Sequence, residues 1–236
     1  MPKMFSKNKI KSYLPHDQLN QKIWTSNGKL RTEVREKLMI IAGDFINYLG
    51  IPIDVLDVRF TGSLANFNYT PSSDIDLHLI IDFDSVNKDL DLVTEFMNAK
   101  RGFWNDRHDI RIEGFDVELY PEDVDEEHVA SALFSIKDNK WIKTPSRFDS
   151  QPNLNAVYRK YKELVKRIEK IINSKNTDAE DISDLIEKIK KMRKAGLSRS
   201  GEMSVENLAY KLIRNSDYLQ ALFDKKIKLF DKSRSI

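Results

Sequence analysis

The chain has 236 residues, with 39 Lys+Arg against 37 Asp+Glu for a net charge of +2, and it is 40% hydrophobic and 32% charged. That much apolar material excludes a disordered chain, that much charge excludes a bilayer-spanning one, and the length suits a sizeable core plus a smaller one. The absence of cysteine removes disulfides, thiolate metal ligands and a cysteine nucleophile, and with no secretory apolar stretch near the start the expected setting is the cytoplasm.

In chain order, Val34, Leu38, Ile41, Phe45 and Tyr48 recur at helical steps, and Gly50 follows as a C-cap would. Residues 54–60 form a β-branched run that reads as a strand, broken by Gly62-Ser63, and a turn is expected at Pro71-Ser72-Ser73. Residues 74–81 alternate strictly at first, placing Asp74, Asp76 and His78 on one face and Ile75, Leu77 and Leu79 on the other. Ser85 is the expected cap of a helix reaching about residue 100. Residues 110–120 read as one further strand, with Asp116, Glu118 and Tyr120 on a common face. A hairpin over residues 132–142 turns through Asp138-Asn139, and Pro145 and Pro152 frame a linker.

Beyond the linker the pattern is purely helical. A long apolar stripe from Leu154 to Ile172 comes first, then a capping box at Thr177 and Glu180, a third helix capped by Ser204, and a last one carrying Leu219, Leu222 and Phe223. Residues 193–204, Arg-Lys-Ala-Gly-Leu-Ser-Arg-Ser-Gly-Glu-Met-Ser, read as a basic loop. The expected fold class is therefore α/β (α+β), a mixed sheet with flanking helices over residues 1–150, followed by a helical bundle over residues 151–236. The charge divides similarly: residues 1–150 hold 19 Lys+Arg and 25 Asp+Glu, and residues 151–236 hold 20 and 12. A basic half of that kind suits an anionic partner such as a triphosphate or an RNA backbone, although charge alone is explained more simply by solvated lysines on helices.

Two carboxylates two residues apart on one strand face repel each other unless a cation lies between them. Asp74 and Asp76 form such a pair, and Asp116 with Glu118 forms another. If these strands are neighbours, the oxygens converge into a set that suits Mg²⁺, and two such ions can clamp a phosphoryl transfer. Gly62-Ser63, directly after a strand and ahead of an expected short helix, offers a close backbone approach and a hydroxyl to phosphate oxygens.

Together, Phe60-Thr-Gly-Ser-Leu-Ala-Asn, then Ser73-Asp-Ile-Asp-Leu-His and a later acidic strand resemble the signature of the DNA polymerase beta-like nucleotidyltransferase superfamily. The likeness is to its small standalone bacterial and phage members and extends over residues 31–120. It implies that Gly62 and Ser63 bind the β- and γ-phosphates of an NTP and that Asp74 and Asp76 ligate two Mg²⁺ ions. The third ligand would be Asp116 or Glu118; both sit between apolar neighbours, and Glu118, flanked by Val117 and Leu119, matches the family strand better. In related polymerases a following helical region contacts the nucleotide, which nominates Asn207, Lys211 and Arg214, spaced along one side of a helix. The activity so implied is transfer of a nucleoside monophosphate from an NTP to a hydroxyl with release of pyrophosphate. An RNA 3′ end is the first acceptor expected, a protein or small-molecule hydroxyl the second, and a non-catalytic nucleotide- or nucleic-acid-binding member the remaining alternative. Phe67, Tyr69, Trp104 and Trp141 are aromatics able to stack on a base, with core packing as their default role.

Overall fold

The computed structural model describes residues 2–126, 130–148, 151–174 and 176–236. In chain order the elements are α1 (Lys7–Ile10), α2 (Thr32–Leu49), β1 (Val55–Thr61), β2 (Ile75–Ile81), α3 (Phe83–Val86), α4 (Leu90–Arg107), β3 (Arg111–Ile112), β4 (Phe115–Asp123), β5 (Leu133–Ser135), β6 (Lys140–Lys143), α5 (Leu154–Asn173), α6 (Ala179–Ser200), α7 (Val205–Asn215) and α8 (Tyr218–Arg234). The chain divides into two compact units, Pro15–Arg147 and Met1–Leu14 with Phe148–Ile236. The first residues, counted with the α/β part from the sequence, group with the helices because Ile10 and Tyr13 are buried in the helical core. Drawn this way, the charge contrast widens. The α/β unit holds 15 Lys+Arg against 24 Asp+Glu, a net of −9, and the helical unit 24 against 13, a net of +11. No helix among the described residues is long and apolar enough to cross a membrane.

The α/β unit is built on one mixed sheet in the order β3-β4-β2-β1-β5-β6. β2 runs antiparallel to β1 and parallel to β4, and every other pairing is antiparallel. The strict alternation of β2 has the expected consequence. Ile75, Leu77 and Leu79 are fully buried with Phe60 and Leu119 on one side of the sheet, where Leu38 and Phe45 of α2 and Met97 and Trp104 of α4 join them in a single core. Trp24 is completely buried in that core, stacked on Phe60 and Trp141, and its indole N–H donates to the Leu64 carbonyl at 2.7 Å. Gly50 ends α2 in the left-handed conformation.

Three local expectations are corrected here. Residues 110–120 are not one strand: Glu113 and Gly114 both adopt positive φ, 54° and 88°, which folds the run into a tight β3–β4 hairpin. Ser85 does not cap a long helix. Asp82 accepts from the Ser85 N–H to cap the one-turn α3, and Asp89 accepts from the Leu92 N–H to start α4, because two Asx caps in quick succession break the run. The segment after Gly62-Ser63 is a turn rather than a short helix, with the Asn66 N–H closing onto the Ser63 carbonyl at 3.1 Å.

The helical unit buries Val157, Tyr161, Val165 and Ile168 of α5 against Ile182 and Ile189 of α6, Leu208 and Leu212 of α7 and Leu222 of α8. Its capping box uses Asp178 and Asp181, one residue past the expected pair, since a carboxylate competes better than a hydroxyl for the free amides of a helix start. The basic stretch read as a loop is helical as far as Ser200. Gly196 lies inside that helix, and a Cβ there would come within 2.6 Å of the Glu206 Cβ; the missing side chain is what lets α6 and α7 approach.

Candidate active site

β2 and β4 lie side by side in parallel, and their register sets Asp76 directly opposite Glu118. Asp74 precedes Asp76 by two residues and so shares its face. Each of the three carboxylates offers an oxygen within 4.8 Å of the others, and all three are half-buried. Like charges at about 4 Å repel by roughly 1 kcal/mol in water and roughly 4 kcal/mol near a protein surface. A cation among the three oxygens would offset that cost. Three hard, anionic oxygen donors from two rigid strands fit Mg²⁺, which takes a few carboxylates and fills its remaining positions with water or phosphate.

Gly62 explains how the turn after β1 reaches this cluster. It sits at φ 77°, and a Cβ on it would lie 1.7 Å from Asp76 Oδ2 and 2.8 Å from Asp76 Cγ. The turn backbone therefore occupies the space beside the carboxylate that any side chain would need. Neighbouring contacts hold the turn in place. The Ser63 and Ser73 hydroxyls are hydrogen-bonded at 2.7 Å, the Thr70 N–H donates to Ser73 Oγ at 2.9 Å, and Trp24 anchors Leu64 from below. The Ser63 hydroxyl thus ties the glycine turn to the residue that precedes Asp74.

Asp116 and Glu118 separate clearly. Asp116 pairs with Arg111 at 2.6 Å with its side chain 62% exposed, because the β3–β4 hairpin sets Arg111 opposite it. Glu118 joins Asp74 and Asp76 and accepts a hydrogen bond from the Tyr120 hydroxyl. Burial pushes the Tyr120 hydroxyl well above its ordinary range, and the Glu118 carboxylate beside it adds to the effect, so this donor keeps its proton. Tyr120 stacks on His78 with ring centroids 5.0 Å apart, Arg101 lies over its outer face, and His78 Nδ1 is 2.5 Å from Glu122 Oε2. Alternation places Tyr120 on the acidic face, and β4 runs past the expected end at Tyr120, so the same alternation carried one step further gives Glu122.

Of the three nominated residues of the helical unit, Asn207 and Lys211 are engaged within it. Asn207 is fully buried, donating to the Glu202 carbonyl at 2.7 Å and accepting from Arg193 Nε at 3.1 Å, while Lys211 pairs with Glu202 at 3.0 Å. Burial opposes ionisation of Glu202, but the Lys211 charge and the hydrogen bonds from Lys211 and Asn207 outweigh it, and the carboxyl is held below its ordinary range. Arg214 is exposed at the end of α7. Of the aromatics, Trp104 packs edge-on to Phe45, Trp141 stacks on Trp24, and Tyr69 stacks on His16 at 3.9 Å. Comparison of the chain with protein-family models, curated proteins and solved structures finds no match.

Proposed function

We propose that this chain is an Mg²⁺-dependent nucleotidyltransferase of the DNA polymerase beta-like kind, moving a nucleoside monophosphate from an NTP to a hydroxyl. The observation that carries the reading is the convergence of Asp74, Asp76 and Glu118 beside a glycine turn that has no room for a Cβ. Asp74, Asp76 and Glu118 would hold two Mg²⁺ ions, which stabilise charge on the attacking and leaving oxygens. The Gly62-Ser63 turn receives the β- and γ-phosphates through its backbone amides and the Ser63 hydroxyl. Glu118, aimed by Tyr120, takes up the proton of the acceptor hydroxyl. The acceptor oxygen bonds to the α-phosphorus as the bond to the bridging oxygen breaks, and pyrophosphate leaves with that electron pair.

The helical unit enters through its charge. A net of +11 supports contact with a polyanion such as an RNA 3′ end. A cytoplasmic setting, where NTP and Mg²⁺ are plentiful, belongs to the same proposal.

The test is label transfer and pyrophosphate release from each of four α-labelled NTPs with Mg²⁺, offering pooled RNA and a cell extract as acceptors. Transfer that vanishes in Asp74→Ala/Asp76→Ala supports the reading. NTP binding without any release of pyrophosphate would leave a binding protein of the same fold and reject the catalytic assignment.

A further inference from the structure

One buried polar pair on the site face of the sheet stands apart from the Asp74, Asp76 and Glu118 set. Glu122 is 6% exposed, and His78 Nδ1 lies 2.5 Å from its Oε2. A carboxylate has no proton to give, so the imidazole N–H donates. Taking such a pair out of water is costly, and apolar residues of similar size hold a fold as well or better. Fold stability alone is therefore a poor account of it, and its surroundings supply another.

β2 and β4 are in register with Asp76 opposite Glu118, His78 opposite Tyr120 and Ile80 opposite Glu122. The hydrogen bond from His78 to Glu122 thus runs diagonally across the strand boundary and fixes the imidazole beside the Tyr120 ring. The two rings stack, 5.0 Å between centroids and 24° between planes. From α4 the Arg101 guanidinium lies over the same ring, 5.0 Å from its centroid. Contacts from β2 and from α4 hold the ring, and its hydroxyl donates to Glu118. Glu118 needs such a hold more than the two aspartates do. A glutamate has one more rotatable bond, so more rotamer freedom is lost when its carboxylate is fixed.

Resting on the nucleotidyl-transfer reading, we propose that His78 and Glu122 are positioning residues that act through Tyr120. They brace the tyrosine, and the tyrosine holds the Glu118 carboxylate where it can join Asp74 and Asp76 around Mg²⁺. Removing an outer partner of this kind costs about 10–100-fold in metal affinity or activity.

The experiment reads Mn²⁺ binding without nucleotide, from the loss of the free-ion paramagnetic resonance signal, beside kcat and KM for transfer from an α-labelled NTP. Wild type is compared with Tyr120→Phe, which removes only the hydroxyl, and with His78→Leu/Glu122→Leu, which replaces the pair by apolar side chains. A third variant carries all three substitutions, and thermal melts follow folding. Tyr120→Phe and the double variant should each weaken Mn²⁺ binding and lower kcat about tenfold. KM for NTP should stay within about twofold, because the Gly62-Ser63 turn is untouched. The triple variant should do no worse than Tyr120→Phe alone, since the pair then has no hydroxyl to aim. Should the double variant melt early, His78→Asn keeps a donor for Glu122 but no ring for Tyr120, and the same loss is expected. Wild-type Mn²⁺ binding after loss of the pair, or losses that multiply in the triple variant, overturns the proposal and makes the pair structural. The nucleotidyl-transfer reading still stands in that case if wild type transfers label and Asp74→Ala/Asp76→Ala does not. If wild type binds neither Mn²⁺ nor NTP, both fall.

Discussion

The two units differ in how their most enclosed charged groups meet. In the helical unit Lys211 pairs with Glu202, Arg199 pairs with Glu206 at 2.6 Å, and Lys225 donates to three carbonyls at the end of α5. In the α/β unit like charges are brought together, with Asp74, Asp76 and Glu118 held on two strands that share one rigid core. A paired network stabilises a fold, and like charges held together cost stability that a bound cation would return.

The sharpest way to break that comparison is to neutralise the repulsive cluster. Asp76→Asn or Glu118→Gln should lower nucleotide transfer about 10³-fold, the scale of losing a group that acts on transition-state charge, while the melting temperature stays level or rises. A falling melting temperature would mean that the carboxylates are structural. Next comes Gly62→Ala. Its Cβ must displace the Asp76 carboxylate and adopt a disfavoured φ of 77°, so transfer should fall about 10²-fold and Mn²⁺ affinity should fall with it. Retained Mn²⁺ affinity would show that the turn does not position Asp76.

On the other side of the comparison, Ile168→Ala opens the helical core, where Ile168 is fully buried. It should cost about 2–5 kcal/mol in denaturant melts yet leave Mn²⁺ binding by the α/β unit intact. Glu202→Gln should cost about 1–3 kcal/mol by stranding Lys211 and Asn207. Because the folded carboxyl of Glu202 lies below its ordinary value, its contribution is complete above the ordinary glutamate range. It is lost as the pH falls through the lower, folded value. Melts from pH 7 down to about pH 3 should therefore converge for wild type and variant at the acid end. The smallest effect belongs to Asp116→Asn, whose exposed pair with Arg111 is worth under about 1 kcal/mol. Transfer should change less than about twofold, against the large loss at Glu118 two residues on.

Much of the candidate site was legible in the chain. The alternation of residues 74–79 sets which face each side chain takes, since successive strand residues must point to opposite sides. Gly62-Ser63 after a β-branched run was readable as the break that ends the strand, though not as the turn that follows, and the hairpin at Asn139 and the helix caps at Gly50 and Ser204 follow from local backbone preference. These are short-range effects, decided within a few residues of the side chain concerned.

The rest depends on partners distant in sequence. Asp116 and Glu118 are alike locally; only the pairing of β4 with both β3 and β2 sends one to Arg111 and the other to Asp76. Asn207 and Lys211 share a helix side as expected, yet only the packing of α7 beside α6 brings Glu202 and Arg193 to them. The closeness of Gly62 to Asp76, the hydroxyl of Tyr120 on Glu118 and the pairing of His78 with Glu122 likewise exist only once strands far apart in the chain lie together. Sequence determined the faces, the turns and the kinds of group available. Tertiary structure chose which groups meet, because pairwise electrostatics falls off over a few ångströms and only the assembled sheet sets those distances.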